Sequence, residues 1–329
     1  MFNTAIFFRI ADDFVLPPLE ALEEIFQSHR FVPCGATEPE SSGWVPPRGN
    51  KSTVLLESVG RSVIARLCTE RRPVPSSAVK AAVDERIEKY KEETGRERVG
   101  AKIKKEFKQE VMLDLLPRAF TKRSTTTLWI DPVNKFLVVD SGNLTGADKV
   151  ISYLVEALSE IPGALPGLKA SPIQTQMSAA AAMSHWLSTR EAPYNFTVDR
   201  DCELKTPDDQ KATVRYSRHT LDIDEVAQHI AAGKLPTQLA MTWNERVSFV
   251  LTETAQLKKL KLLDVVLDGV QESGKDDDGF DTDAAIITGE LSSLIPDVLD
   301  ALGGELGDGE AAAGQAEVAA PPELAPEPA

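Results

Sequence analysis

Apolar and polar positions change period several times along the chain, and each change marks an element. The run TAIFFRI (4–10) is dense in β-branched and aromatic residues and predicts a strand. Pro17 and Pro18 then open a helix whose Leu19, Leu22, Ile25 and Phe26 share one face. Residues 31–50, FVPCGATEPESSGWVPPRGN, are punctuated by Pro and Gly throughout and predict a loop-rich passage in which Trp44 anchors to apolar surface. Alternation in RSVIARLC (61–68) predicts another strand.

From residue 75 the period lengthens. A helix capped by Ser76 or Ser77 carries Val79, Val83, Ile87 and Tyr90 as a narrow stripe and stops at Gly95; a second, over 101–116, carries Ile103, Phe107, Val111 and Leu115. Thin stripes on otherwise charged helices suit a projecting hairpin better than a buried layer, so residues 75–123 are expected to form an inserted helical finger. Strand pattern resumes in STTTLWID and, after the turn Asp131-Pro132-Val133-Asn134, in KFLVVD. Thr145 is placed to cap a helix running to about Glu160, and PGALPGLKASP (162–172) has linker composition.

The second half predicts a helix around SAAAAMSHWLSTR, strands CELK and ATVRYS, a helix from about 222 to 232 ending at Gly233, and three β-like runs, LPTQLAMTW, ERVSFVL and QLKKLKLL. DTDAAIITGELSSLIPDVLDALG predicts a helix broken or kinked near Pro296. The fold class is therefore α+β, with antiparallel sheets and flanking helices. Residues 1–74 and 124–165 are expected as a central domain, 75–123 as the finger, 166–304 as a second α+β domain, and 305–329 as a disordered acidic tail.

Composition changes this picture mainly through charge. The chain of 329 residues carries a net −15, but residues 264–329 hold 17 Asp or Glu against one basic residue, Lys275, so they carry −16 and the preceding 263 residues sum to +1. Whole-chain charge thus masks a near-neutral body in which residues 71–123 are basic, with 15 Lys or Arg against 9 Asp or Glu. No apolar run approaches the ~20 residues of a membrane span, and Cys34, Cys68 and Cys202 are few, scattered and odd in number. A cytoplasmic protein with free thiols is expected.

The sequence carries few marks of catalytic or metal chemistry. The four His and three Cys show no metal-ligand spacing, AGKLP (232–236) lacks the other residues of a phosphate loop, and no nucleophile elbow occurs. Neither metal nor cofactor is expected. The sharpest enzymatic candidate is DRDCELK, where Asp201, Glu203 and Lys205 imitate a strand that holds Mg²⁺ on carboxylates while Lys orients water; alternating charge on an exposed strand gives the same pattern. The basic residues suggest phosphate contact instead. Lys80, Arg86, Lys89, Lys91, Lys102, Lys104, Lys105 and Lys108 lie on the finger helices, and strand alternation places Lys259 and Lys261 on one face with Leu260 and Leu262 opposite. The interleaved Lys and Glu equally suit a solvated helix. No aromatics alternate with these cations, and no helix-turn-helix is evident, which favours duplex backbone contact over base stacking or sequence reading.

The segments FVPCG (31–35), GWVPP (43–47), LLPRAF (115–120), WID (129–131), LKKLKL (257–262) and TGEL (288–291) stand in an order that resembles the RdgC family of bacterial recombination-associated proteins. The resemblance runs from the first strand to about Gly304. It implies a homodimer closed into a ring around double-stranded DNA without sequence preference, nucleoid association, restraint of RecA-dependent strand exchange, and no catalytic residues. Carried over by position, it implies that Arg118 and Phe120 close one side of the ring. A Phe displayed on a proline-broken turn is costly unless a pocket on the symmetry mate takes it, although it can also fold back on its own sheet. Cations expected toward DNA are Lys80, Lys89, Lys104, Lys108, Lys122, Arg123, Lys211, Lys259 and Lys261. The acidic extension departs from the family ending; competition with DNA and simple solubilisation both fit it.

Overall fold

The computed structural model describes residues 2–49, 52–161, 168–207, 212–268 and 279–306. β1 (Thr4–Ile10) and α1 (Leu19–Ser28) are followed by β2 (Glu40–Val45), β3 (Leu56–Val59) and β4 (Ser62–Arg71). Next come α2 (Ser76–Thr94), α3 (Ala101–Leu115), β5 (Lys122–Asp131), β6 (Phe136–Val139) and α4 (Leu144–Ser159). The second half runs β7 (Ala170–Pro172), α5 (Ala179–Thr189), β8 (Phe196–Lys205), β9 (Thr213–Tyr216), α6 (Asp224–Ala231) and β10 (Leu235–Trp243). It ends with β11 (Val247–Thr252), β12 (Leu257–Leu262), α7 (Asp264–Leu267) and α8 (Phe280–Ala301). The α+β class holds, with a large antiparallel sheet and flanking helices.

The strands join in the order β2-β4-β5-β6-β1-β12-β11-β10-β8-β9, with β3 attached to β4 and β7 to β1. β1 links the two halves: it pairs β6 along one edge, and through Thr4 and Ala5 it pairs Lys258 and Leu257 of β12 on the other. A strand in that position must be apolar on both faces, which is what the near-continuous TAIFFRI run supplies. Ile6, Phe8 and Ile10 enter a core with α1 and α4, whereas Ala5 and Phe7 enter a second core with α5 and α8. Among the described residues no helix is long and apolar enough to cross a membrane.

Several local expectations are revised. Residues 40–45, expected as loop, are strand β2 because pairing along β4 outweighs the turn-forming composition. Gly43 makes that possible: a Cβ there would stand 2.3 Å from the Cα of Phe31, whose N–H donates to the Trp44 carbonyl at 3.0 Å. Trp44 is fully buried and stacks on Phe26 at 4.2 Å, so the GWVPP segment is a packing device. Asn143, not Thr145, caps α4, its Oδ1 accepting from the Gly146 N–H at 2.8 Å. α2 starts after Pro75 with no side-chain cap; Gly95 ends it in a left-handed conformation, as expected. α8 continues through Pro296 instead of breaking there, held by eight buried residues along it.

The linker expectation falls partly on residues 162–167, which lie outside the described residues, while Ala170–Pro172 pairs with β1 as β7. At the start of the expected tail, Glu305 is tied to Arg9 by an ion pair and to Thr175 by a β-bridge. Residues 307–329 lie outside the described residues.

Candidate nucleic-acid interface

The turn after α3 is built to display one ring. Leu116 is buried and anchors a short 3-10 turn, Leu116–Arg118, into which Pro117 fits without losing a needed donor. Arg72 then clamps the exit. Its guanidinium donates to the carbonyls of Ala119 at 3.1 Å, Gly35 at 3.2 Å and Cys34 at 3.4 Å. The next side chain, Phe120, is 94 % exposed, so it does not fold back on its own sheet. Arg118 beside it is also exposed. Among the described residues no other large apolar side chain is as exposed as Phe120.

α2 and α3 form the antiparallel pair that the stripes predict. Tyr90 meets Phe107 edge-on at 5.8 Å, and Arg86 bridges to Glu110 at 2.5 Å and to Asp114. Val79 and Val111 are the only residues of the two helices that are buried, so most of both surfaces faces solvent. Lys80 and Lys108 flank an apolar hollow of about 370 Å³ formed with Val74, Val79, Val83 and Met112. Lys104 is exposed, whereas Lys89 is held by Glu85 at 2.9 Å. At the root of the pair Lys122 is exposed and sits opposite Arg71 on β4. Arg123 is engaged by the buried carboxylate of Glu70 and lies over the Phe31 ring at 5.2 Å. Lys211 lies outside the described residues.

A second basic surface lies on the face of β8–β12 turned away from α5 and α8. The expected alternation fails at Lys259, where φ is +54° and the β11–β12 register shifts. That bulge puts Lys258 opposite Val250 and Lys261 opposite Ser248, so Lys258 and Lys261 share the outward face while Leu257 and Leu260 point into the core. Lys259 is exposed and lines a shallow hollow of about 540 Å³ on this sheet with Arg200, Arg218, Ser248 and Val250. Arg200, Arg218, Lys258, Lys259 and Lys261 make no ion pair among the described residues. Two carboxylates line the same hollow, Asp199 accepting from the Thr242 hydroxyl at 3.0 Å and Asp201 from the Arg218 backbone N–H at 2.7 Å. Local spacing in the sequence does not group Arg200, Arg218 and Lys258 with Lys259 and Lys261, because that grouping depends on strand register and on a bulge.

The acidic candidate resolves differently. Glu203 is buried on β8; Lys205 reaches it at 2.7 Å, Arg215 Nε donates to it at 3.2 Å and Thr237 Oγ1 at 2.9 Å. The Lys205 hydrogen bond, reinforced by Arg215 and Thr237, outweighs burial and brings the Glu203 carboxyl down to about 2. Its lone pairs are thus committed to cations and a hydroxyl. Among the described residues no group of three or more His, Cys, Asp or Glu converges as a metal site. Neighbouring Cys202 has its thiol pushed up to about 12 by burial, an inert packing residue.

Comparison with known proteins points one way. A family model described as "Putative exonuclease, RdgC" matches residues 1–305. The "Recombination-associated protein RdgC" of Dechloromonas aromatica is 41% identical over 292 residues, covering 88% of this chain and 93% of that protein. The protein of the same description from Herminiimonas arsenicoxydans is 40% identical over 287 residues, 87% and 92% of the two chains, and that from Janthinobacterium sp. is 41% identical over 288, 87% and 93%.

Proposed function

The chain belongs to the RdgC family, and from that premise we propose that it binds double-stranded DNA without sequence preference, as a ring-closed homodimer that restrains RecA-dependent recombination. The observation that carries the DNA reading is the open face of β8–β12, with five cations that have no ion pair among the described residues. Such cations neutralise phosphates and release condensed counterions, so affinity falls steeply with salt. No base-reading helix accompanies them, and backbone contact suits any duplex. The chain then acts in the cytoplasm at the nucleoid, and by occupying the duplex it obstructs filament growth or strand invasion without touching the recombinase.

Phe120 supports the dimer. Held by Arg72 at the base of a largely solvent-exposed helix pair, it is placed to enter an apolar recess on a second copy. The hollow between Lys80 and Lys108 offers one, and a two-fold axis would make the contact twice. In this reading α2 and α3 are the projecting finger, their free cations add to the wall of the hole, and loading onto closed circular DNA requires the Phe120 contact to open.

Gel shifts on linear and on closed circular duplexes, at several salt concentrations and with or without Mg²⁺, test this. Salt-sensitive shifts of both substrates without cleavage are expected, with circular complexes outlasting linear ones because a ring can slide off a linear end but a closed circle has none. Cleavage products in Mg²⁺ would return the family's exonuclease description to consideration; absence of any shift at low salt would end the DNA reading.

A further inference from the structure

Residues 307–329 contain Asp308, Glu310, Glu317, Glu323 and Glu327 and no Lys, Arg or His. The match to the family model stops at residue 305, so this acidic stretch belongs to the chain beyond the shared fold. We propose that it docks on the open face of β8–β12, on Lys258, Lys259, Lys261, Arg200 and Arg218, and competes there with duplex DNA. The proposal rests on the DNA reading of that face and adds its regulation.

Three observations carry it. The first is charge: the five cations have no ion pair among the described residues, and the segment supplies five carboxylates with no cation of its own. The second is the point of departure. Glu305 is fixed to Arg9, and the Leu306 N–H donates to the Gln174 carbonyl at 2.9 Å, so the segment leaves from beside β1. Arg9 lies five residues along β1 from Thr4, which is opposite Lys258, a distance of about 17 Å at the strand rise. The third is reach. Arg9 stacks at 4.2 Å on Phe136, on the side of the sheet packed by α8, so the segment must also round the three-residue β7 and cross to the other face, roughly 10 Å more. The total of about 27 Å is well within the extended reach of 23 residues, ~75 Å.

Tethering converts weak attraction into useful occupancy. An effective concentration on the order of millimolar allows five scattered carboxylates to compete without high intrinsic affinity. The contact would be one between opposite charges on the protein surface, so salt above a few tenths molar abolishes it along with the competition.

The experiment uses the full chain and a full-length variant with Asp308→Asn, Glu310→Gln, Glu317→Gln, Glu323→Gln and Glu327→Gln, which leaves the described fold untouched. Fluorescence anisotropy with a labelled duplex gives affinity at low and high salt. Carbodiimide cross-linking of the DNA-free chain, mapped by mass spectrometry, locates the segment independently of DNA. We expect the variant to bind duplex roughly three- to tenfold more tightly at low salt, a difference that closes at high salt, together with cross-links from 308–327 to Lys258, Lys259 or Lys261 that added duplex suppresses. Equal affinities at low salt, or cross-links confined to other lysines, would overturn the proposal. Cross-links to these lysines in a chain that binds no duplex would leave the docking intact and remove the DNA reading on which its regulatory meaning depends.

Discussion

Truncating Phe120 to Ala separates a docking residue from a packing residue. In the single chain the ring is 94 % exposed, so its loss forfeits almost no intramolecular burial and should change folding stability by no more than ~0.5 kcal/mol. In a two-fold dimer the same ring is buried twice. Fully burying a Phe side chain is worth ~1.5–3 kcal/mol, so a symmetric contact contributes ~3–6 kcal/mol, equivalent to roughly a hundredfold to ten-thousandfold in the dimer dissociation constant. Sedimentation velocity across a dilution series should show Phe120→Ala dissociating at far higher concentration than the unsubstituted chain, with an unchanged urea midpoint at a concentration where both are monomeric. Phe120→Leu should fall between them, because most of the apolar area remains. A dimer constant unmoved by Phe120→Ala would refute the anchor, and so would a large drop in midpoint, since that would place the ring inside its own chain.

Arg72→Ala removes three hydrogen bonds from a charged donor and frees the carbonyls of Cys34, Gly35 and Ala119; a stability loss of ~1.5–3 kcal/mol in urea titration is expected, with weakened dimerisation because Phe120 loses its fixed pose. Gly43→Ala drives a methyl into the Phe31 backbone at 2.3 Å, so the strand must shift, and a loss above ~3 kcal/mol or failure to accumulate soluble protein is expected; a melting temperature within a degree of the parent would contradict this. Glu203 has a folded-state carboxyl near 2, depressed below its unfolded value by Lys205, Arg215 and Thr237, so its stabilisation is complete above the unfolded value of ~4.3 and drains as pH falls toward 2. Glu203→Gln should therefore destabilise the chain by at most ~3 kcal/mol at pH 7 and flatten the part of the stability curve between pH 4.5 and 2 that this group supplies, measured by urea unfolding at each pH.

Much of the architecture was legible because period survives where one face is buried. β1, β4, β5 and β10 each bury long apolar runs, and the charged helix pair with Gly95 at its end needed only local rules. β2 was illegible for a definable reason: its ESSGWV sequence is polar and flanked by turn residues, and it is a strand only because β4 offers a partner and Phe31 packs where Gly43 has no side chain. The site divides in the same way. Phe120 stood out as an apolar side chain on a proline-broken turn, but Arg72, which fixes it, is 48 positions away and carries no local mark. Lys259 and Lys261 stand out in the sequence as neighbouring cations, but the other cations of that sheet do not, because a bulge with positive φ at Lys259 re-aims Lys258 and strand order brings up Arg200 and Arg218. Glu203 read as a possible metal ligand until its burial among Lys205, Arg215 and Thr237 showed an ion-pair centre.

In the proposed function the open face of β8–β12 holds duplex DNA through its phosphates. The decisive measurement is the salt dependence of duplex affinity in the full chain and in a Lys258→Ala, Lys259→Ala, Lys261→Ala variant. Every phosphate that the variant no longer neutralises should make the slope of log K against log salt shallower by about 0.9, so it is expected to bind more weakly for every sequence tried, with a slope reduced by ~2–3 in all. A variant with the parent's affinity and slope would contradict the account.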